Sequence, residues 1–147
     1  MNSTEEAKIL IEQSKKYIFP QRYNAFARSI LSMAEVYQNF GLDVIKDVVE
    51  TLKLLKEGDV EAAKTFWAFK TNSYQGENHY LAPIKILATK VICNTSIEGE
   101  KFFKAIYLDG KKEKDPVNLE NYKKLSSLNE KFKAGTETKE DCESRYF

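Results

Sequence analysis

The sequence has few of the residues on which catalysis, metal binding and cross-linking usually depend. It contains one histidine, two cysteines, three prolines and six glycines in 147 residues. A tight zinc site needs three or four imidazole or thiolate ligands, and a disulfide framework needs more than one pair of cysteines. We therefore predict no metal site and no cofactor, and we expect Cys93 and Cys142 to be free thiols.

The sequence also lacks an excess of either charge and a long apolar run. Its 23 basic and 22 acidic side chains leave a formal net charge of +1, which gives no strong attraction to nucleic acid or anionic lipid. The longest apolar stretch, residues 81–93, is broken by Lys85 and Lys90 and is too short to span a bilayer. The N-terminus is acidic where a signal peptide is basic and then apolar. These features predict a cytoplasmic protein that does not bind a membrane.

What the sequence does have is apolar residues at helical spacing over nearly its whole length. Hydrophobic residues make up 42% of the chain, enough for one core in a chain of this size. The periodicity predicts an all-α, single-domain antiparallel bundle of about six to seven helices. We assign residues 1–135 to this helical domain and residues 136–147 to a C-terminal tail, in which Thr138 and Asp141 have the spacing to begin a short helix.

Local signals predict the boundaries of the first four helices. Ser3 and Glu6 have capping-box spacing before a helix over residues 4–18. A second helix over residues 21–40 is expected to end at Gly41 in a left-handed cap. A third runs from residue 43 to Gly58, and Asp59 is placed to cap a fourth.

The turn between the third and fourth helices resembles one known motif. The stretch LLKEGDVEAA, residues 54–63, is similar to the turn between the paired helices of a tetratricopeptide repeat. No copy lies about 34 residues away in either direction, whereas a repeat array needs at least three. The stretch therefore predicts a tight helical hairpin.

The later helices are predicted from similar signals. Pro83 lies in the first turn of a fifth helix, which is apolar around most of its circumference and is therefore expected at the centre of the bundle. Thr95 and Glu98 have capping-box spacing before a sixth helix. Residues 102–108 fit that helix or, as an alternative, a strand, although no second apolar run follows to pair with a strand. Asp115 precedes Pro116 at the start of a last long helix that ends at residue 135.

His79 is the one residue that suggests catalysis. Its unperturbed pKa lies near neutrality, and Glu77 is close enough in sequence to orient it as a general base. No nucleophile elbow, phosphate loop or metal-binding spacing accompanies the pair. We therefore keep a small enzyme that uses His79 and Glu77 as an alternative, and identify no catalytic residues.

An aromatic cluster in residues 66–80 suggests a binding surface instead. Phe66, Trp67 and Phe69 point in too many directions for one neighbouring helix to bury them all, so the fourth helix is either enclosed by other helices or presents part of an exposed apolar surface. Aromatic side chains beside polar residues are typical of protein interfaces. The residues that we predict to contact a partner are Trp67, Phe69, Tyr74, Glu77, His79 and Tyr80.

Basic residues that alternate with aromatic residues suggest a second alternative. Such a pattern is used to bind single-stranded nucleic acid, with the bases stacked on the rings. One stretch comprises Lys15, Lys16, Tyr17, Phe19, Arg22, Tyr23 and Arg28, and a second comprises Lys111, Lys112, Lys114, Lys123 and Lys124. Acidic neighbours dilute the second stretch. The sequence favours a non-catalytic protein that binds another protein, of the inhibitor, immunity, adaptor or regulatory type, and nucleic-acid binding remains an alternative.

Overall fold

Seven α-helices make up most of residues 2–75 and 82–144, which are the residues that the computed structural model describes. They are α1 (Ser3–Ser14), α2 (Tyr23–Lys56), α3 (Val60–Asn72), α4 (Ala82–Thr95), α5 (Gly99–Tyr107), α6 (Pro116–Ala134) and α7 (Lys139–Glu143). Short 3-10 helices span Lys15–Tyr17, Pro20–Arg22 and Ser73–Gln75. Over the same residues no strand forms, and α5 replaces the strand considered for residues 102–108. The predicted all-α fold is confirmed.

The first helix is shorter than predicted and begins with a different cap. The Asn2 side chain, not that of Ser3, accepts a hydrogen bond from the backbone of Glu5 at 2.8 Å, and the Glu5 carboxylate completes the capping box. The helix ends at Ser14 because the chain then bends to meet the connection between α4 and α5. There the Phe19 N–H donates to the carbonyl of Thr95 at 3.1 Å.

The second and third predicted helices both form, as the two parts of α2, which are separated by a break at a single residue. Gln38 has φ 52° and ψ −123°, so the break falls three residues before the expected one. Gly41 is not a left-handed cap. It is buried, and a Cβ atom at this position would lie 2.3 Å from the carbonyl oxygen of Met33. Glycine is needed here because two backbone segments come into contact.

The other predicted turns and caps are confirmed, with one exception. Gly58 and Gly135 have left-handed φ values of 84° and 71°, and the side chains of Asp59, Asp115 and Thr138 accept backbone hydrogen bonds at the starts of α3, α6 and α7. The exception is α5. Thr95 is the last residue of α4, where its hydroxyl donates to the Val91 carbonyl, and α5 begins at Gly99.

One main hydrophobic core joins residues from α1 to α6. Its centre is α2, which contacts α1, α3 and α4 most extensively, and not the predicted central helix. That helix, α4, leaves Ile86 57% and Leu87 40% exposed. A smaller cluster of Phe19, Leu128 and Phe132 packs with Cys142 of α7. The short helix in the C-terminal tail therefore rests on the body of the domain.

Candidate functional site

Trp67, one of the predicted contact residues, belongs to the core. It lies on the inner face of α3 with 2% of its surface exposed. Its indole Nε1 donates to the Thr89 hydroxyl of α4 at 2.9 Å, and that hydroxyl donates to the Lys85 carbonyl at 2.7 Å. Trp67 therefore joins α3 to α4 and is not available to a partner in this structure.

Tyr74 is also a core residue. It is 4% exposed, and its ring meets that of Phe40 edge to face at 5.4 Å. Its hydroxyl donates to the Asp47 carboxylate of α2 at 2.6 Å. Burial, with this hydrogen bond and the charge of Asp47, raises the pKa of Tyr74 well above its ordinary value. Tyr74 thus fixes the end of α3 to α2.

Phe69 lies on the surface, with 74% of its area exposed. Phe66 and Ala62, both half-buried, share this side of the helix, and Lys70 Nζ lies 5.7 Å from the centroid of the Phe66 ring. Asp59, Glu61 and Thr65 complete the walls of a shallow depression beside these apolar residues. We call Ala62, Phe66 and Phe69 the α3 outer face. It is the exposed part of the predicted aromatic surface among the described residues.

The remaining predicted contact residues, Glu77, His79 and Tyr80, lie outside the described residues. So does the proposed general base of the enzyme alternative. Within the described residues, no group of three or more histidine, cysteine, aspartate or glutamate side chains could hold a metal ion.

A groove on the other side of α3 was not predicted. It has a volume of about 330 Å³ and lies between α3, α4 and α5. Its walls include the exposed Ile86 and the half-buried Ile106 and Tyr107, with Lys64 and Lys85 also lining it. Burial is the main cause that raises the pKa of Tyr107 to about 12. The sequence pattern missed the groove because α4 is apolar on nearly all sides, and the pattern alone does not identify the side left uncovered.

Two of the three rings in the first basic and aromatic stretch are buried. Tyr17 and Phe19 are at most 9% exposed, so their rings cannot stack on bases. The third ring, that of Tyr23, is half-buried, with Lys15 Nζ 5.3 Å from its centroid and its hydroxyl donating to the Glu12 carboxylate at 3.2 Å. Arg22 is 2% exposed and donates from Nη1 to the Cys142 carbonyl at 3.0 Å, and its guanidinium lies 5.3 Å from the centroid of Phe132. This arginine therefore holds α7 on the body of the domain.

A small cleft of about 110 Å³ lies beside this arginine, between the start of α2, α4 and the end of α7. Arg28, Lys90 and Glu143 also line it, so both charge signs are present. The second basic stretch stays at the surface, where Lys111 and Lys112 are exposed between α5 and α6. Among the described residues, no aromatic side chain lines the cleft beside Arg22.

Two further observations concern membrane-spanning helices and similarity to known proteins. None of the helices in the described part of the chain has both the length and the apolar character required to cross a bilayer. Comparison with protein family models, with curated proteins and with solved structures gives no match.

Proposed function

We propose that the protein is a non-catalytic helical domain that binds another protein through the α3 outer face. The observation that carries this proposal is the 74% exposure of Phe69 beside the half-buried Phe66. Burying a phenylalanine side chain contributes roughly 1.5–3 kcal/mol, and a partner that covers Phe69 would gain this free energy. Aromatic residues that are accessible before binding and buried afterwards are common energetic centres of interfaces.

The rigid position of α3 supports the same proposal. The hydrogen bond from Trp67 to Thr89 fixes the inner face of the helix, and Asp59 caps its start by accepting from the Ala62 N–H at 2.9 Å. Phe69 is therefore presented on an ordered helix. Binding then requires little ordering of the backbone, which reduces its entropic cost.

The class of protein that we propose is an inhibitor, immunity protein, adaptor or regulator that acts in the cytoplasm. Proteins of these kinds act by covering a partner surface and need no reaction centre of their own. The cytoplasmic location is supported by the free thiols of Cys93 and Cys142, which a reducing compartment preserves.

The experiment that tests the proposal is site-specific photo-cross-linking in the native host. A photoreactive phenylalanine analogue at position 69 should cross-link one protein in stoichiometric amounts. The matched control carries the same analogue at Val117, which is 66% exposed on α6. Position 117 should give no such product.

Affinity capture with two alanine variants completes the test. Phe69→Ala should remain folded and lose the cross-linked protein, whereas Val117→Ala should retain it. Equal capture by both variants would remove the α3 outer face from the interface. Recovery of nucleic acid in place of a protein would favour the nucleic-acid alternative, and recovery of neither would reject the proposed binding function.

A further inference from the structure

The break in α2 depends on the unusual backbone conformation of one residue. Gln38 is the one described residue other than glycine with a positive φ, and its φ of 52° and ψ of −123° resemble the first central position of a type II′ turn. Glycine dominates that position because a Cβ atom is strained there. Gln38 therefore carries backbone strain in the folded monomer.

The chain turns back sharply at this break. In a straight helix, Met33 and Gly41 would lie about 12 Å apart along the axis. Here a Cβ atom at Gly41 would lie 2.3 Å from the Met33 carbonyl oxygen and 3.1 Å from the Cβ atom of Tyr37. The two parts of α2 therefore come into contact beside the break, and the turn leaves no space for an alanine at Gly41.

The segment before the break packs on the rest of the chain along its length. The Ser3 hydroxyl of α1 donates to Asn39 at 3.1 Å, just after the break, and Lys56 Nζ at the end of α2 lies 6.0 Å from the centroid of Tyr17. Further along, Gln21 Nε2 donates to the Phe132 carbonyl of α6 at 3.1 Å. We call residues 2–37 the N-terminal segment.

The sequence would also support a straight helix through the break. Apolar residues continue at intervals of three and four residues across Gln38, through Phe26, Ile30, Met33, Tyr37, Phe40, Val44, Val48, Thr51 and Leu55, with Thr51 the one polar member. Such spacing gives one continuous apolar stripe on a single helix. No proline lies within α2 to prevent it. A bent α2 and a straight α2 thus differ in the backbone conformation of Gln38 and its neighbours.

We propose that two copies of this chain exchange their N-terminal segments. In the exchanged dimer Gln38 adopts helical φ and ψ, α2 is a continuous helix, and each N-terminal segment packs on the second copy. Each N-terminal segment makes the same contacts with the second copy that it makes with its own chain in the monomer. The strain released at Gln38 therefore opposes the entropic cost of association. Short strained connections are known to favour domain swapping. The partner of each N-terminal segment is thus a second copy of the same chain.

Variants at the break test the proposal by their opposite effects on dimer formation. Gly41→Ala removes the space needed for the turn and favours a straight helix, so it should lower the dimer dissociation constant more than about tenfold. Gln38→Gly relieves the strain in the bent form and should raise it. Each protein is unfolded, refolded at high concentration and measured by light scattering after size-exclusion chromatography. Gly110→Ala is the control, since it strains a glycine with φ 74° between α5 and α6, where a Cβ atom would meet nothing within 4 Å, and it should leave the dissociation constant unchanged.

A disulfide between the segments distinguishes exchange from ordinary dimerisation. Ser3→Cys and Asn39→Cys are combined in a Cys142→Ser background and oxidised. In the monomer this pair should link within one chain. In the exchanged dimer the same pair should link two chains, which denaturing gels without reductant separate by size.

Three results would overturn the proposal. The first is a Gly41→Ala protein that stays monomeric at concentrations where the wild type does, and the second is a dimer whose cysteines link only within each chain. If Gly41→Ala does not fold, Gln38→Ile replaces it, because a β-branched residue also disfavours the positive φ without the backbone clash. The third result that would overturn the proposal is a Gln38→Ile protein that folds but forms no more dimer than the wild type.

Discussion

Two neighbouring aromatic residues of α3 have opposite environments because of helix geometry. Trp67 and Phe69 are two positions apart, so their side chains lie roughly 200° apart around the axis. Trp67 is 2% exposed and hydrogen-bonded, whereas Phe69 is 74% exposed. The sequence indicates that both cannot face the same neighbour, but only the packed structure shows which one faces the core.

Alanine substitutions at these two positions should therefore differ sharply in their effect on stability. Trp67→Ala leaves a cavity between α3 and α4, and we expect it to lower the free energy of unfolding by about 3–5 kcal/mol. Phe69→Ala removes a ring that is mostly in water and should change stability by no more than about 0.5 kcal/mol. Urea denaturation followed by circular dichroism measures both. A large loss of stability in Phe69→Ala would mean that this ring is part of the core.

Tyr74 should make stability depend on alkaline pH. Its folded-state pKa is raised above the ordinary value of 10.0, so its contribution is complete below pH 10 and is lost as pH rises above that value. The reason is that the unfolded chain ionises this phenol first. Tyr74→Phe should be less stable at pH 7 by about 1–3 kcal/mol, since it loses the charged hydrogen bond to Asp47.

The stability difference between wild type and Tyr74→Phe should shrink between pH 10 and pH 11, by at most about 1.4 kcal/mol for one proton. Denaturant melts of both proteins at each pH measure this difference, and ionisation of lysines common to both largely cancels. A difference that stays constant over this range would show that Tyr74 ionises alike in the folded and unfolded states.

At the scale of elements, the boundaries set by local chemistry were predictable from the sequence. Asp115 precedes Pro116 and accepts hydrogen bonds from the Val117 and Asn118 backbones at 2.8 and 3.4 Å. Gly58 and Gly135 end their helices with left-handed backbone. Each of these depends on groups within four residues along the chain, so the sequence contains the whole interaction.

The boundaries that were missed depend on contacts between distant parts of the chain. The local pattern around Gly41 does not indicate its role, because the need for a small residue comes from the Met33 carbonyl across the turn. Thr95 has the spacing of a cap, yet Ser96 takes the hydrogen bond from the Glu98 N–H at 3.1 Å. The exposed side of α4 was missed for a related reason, because the position of α2 decides which side of α4 is covered.

At the scale of the whole molecule, one core connects six of the seven helices in the described residues, and Cys93 lies within it. This residue is 0% exposed, and burial raises the pKa of its thiol. The α4 backbone around it is closely packed, since a Cβ atom at Gly99 would lie 2.3 Å from the Cys93 carbonyl oxygen. Cys142 on α7 is only half-buried. The reactivity of Cys93 should therefore report on opening of the core, whereas that of Cys142 reports on the surface of α7.

Alkylation of the two thiols should show whether the domain opens as a single unit. Reaction requires an accessible thiolate, so Cys142 should be modified readily by iodoacetamide in the folded protein, whereas Cys93 should react only when the core opens. In a Cys142→Ser variant, mass spectrometry then gives the rate at Cys93 as urea is added. If the core opens only by global unfolding, the logarithm of this rate rises with urea with the slope measured for the unfolding equilibrium. A rate that is independent of urea would instead mean that α4 separates from α2 by a local opening, and that the helices around Cys93 do not unfold as one cooperative unit.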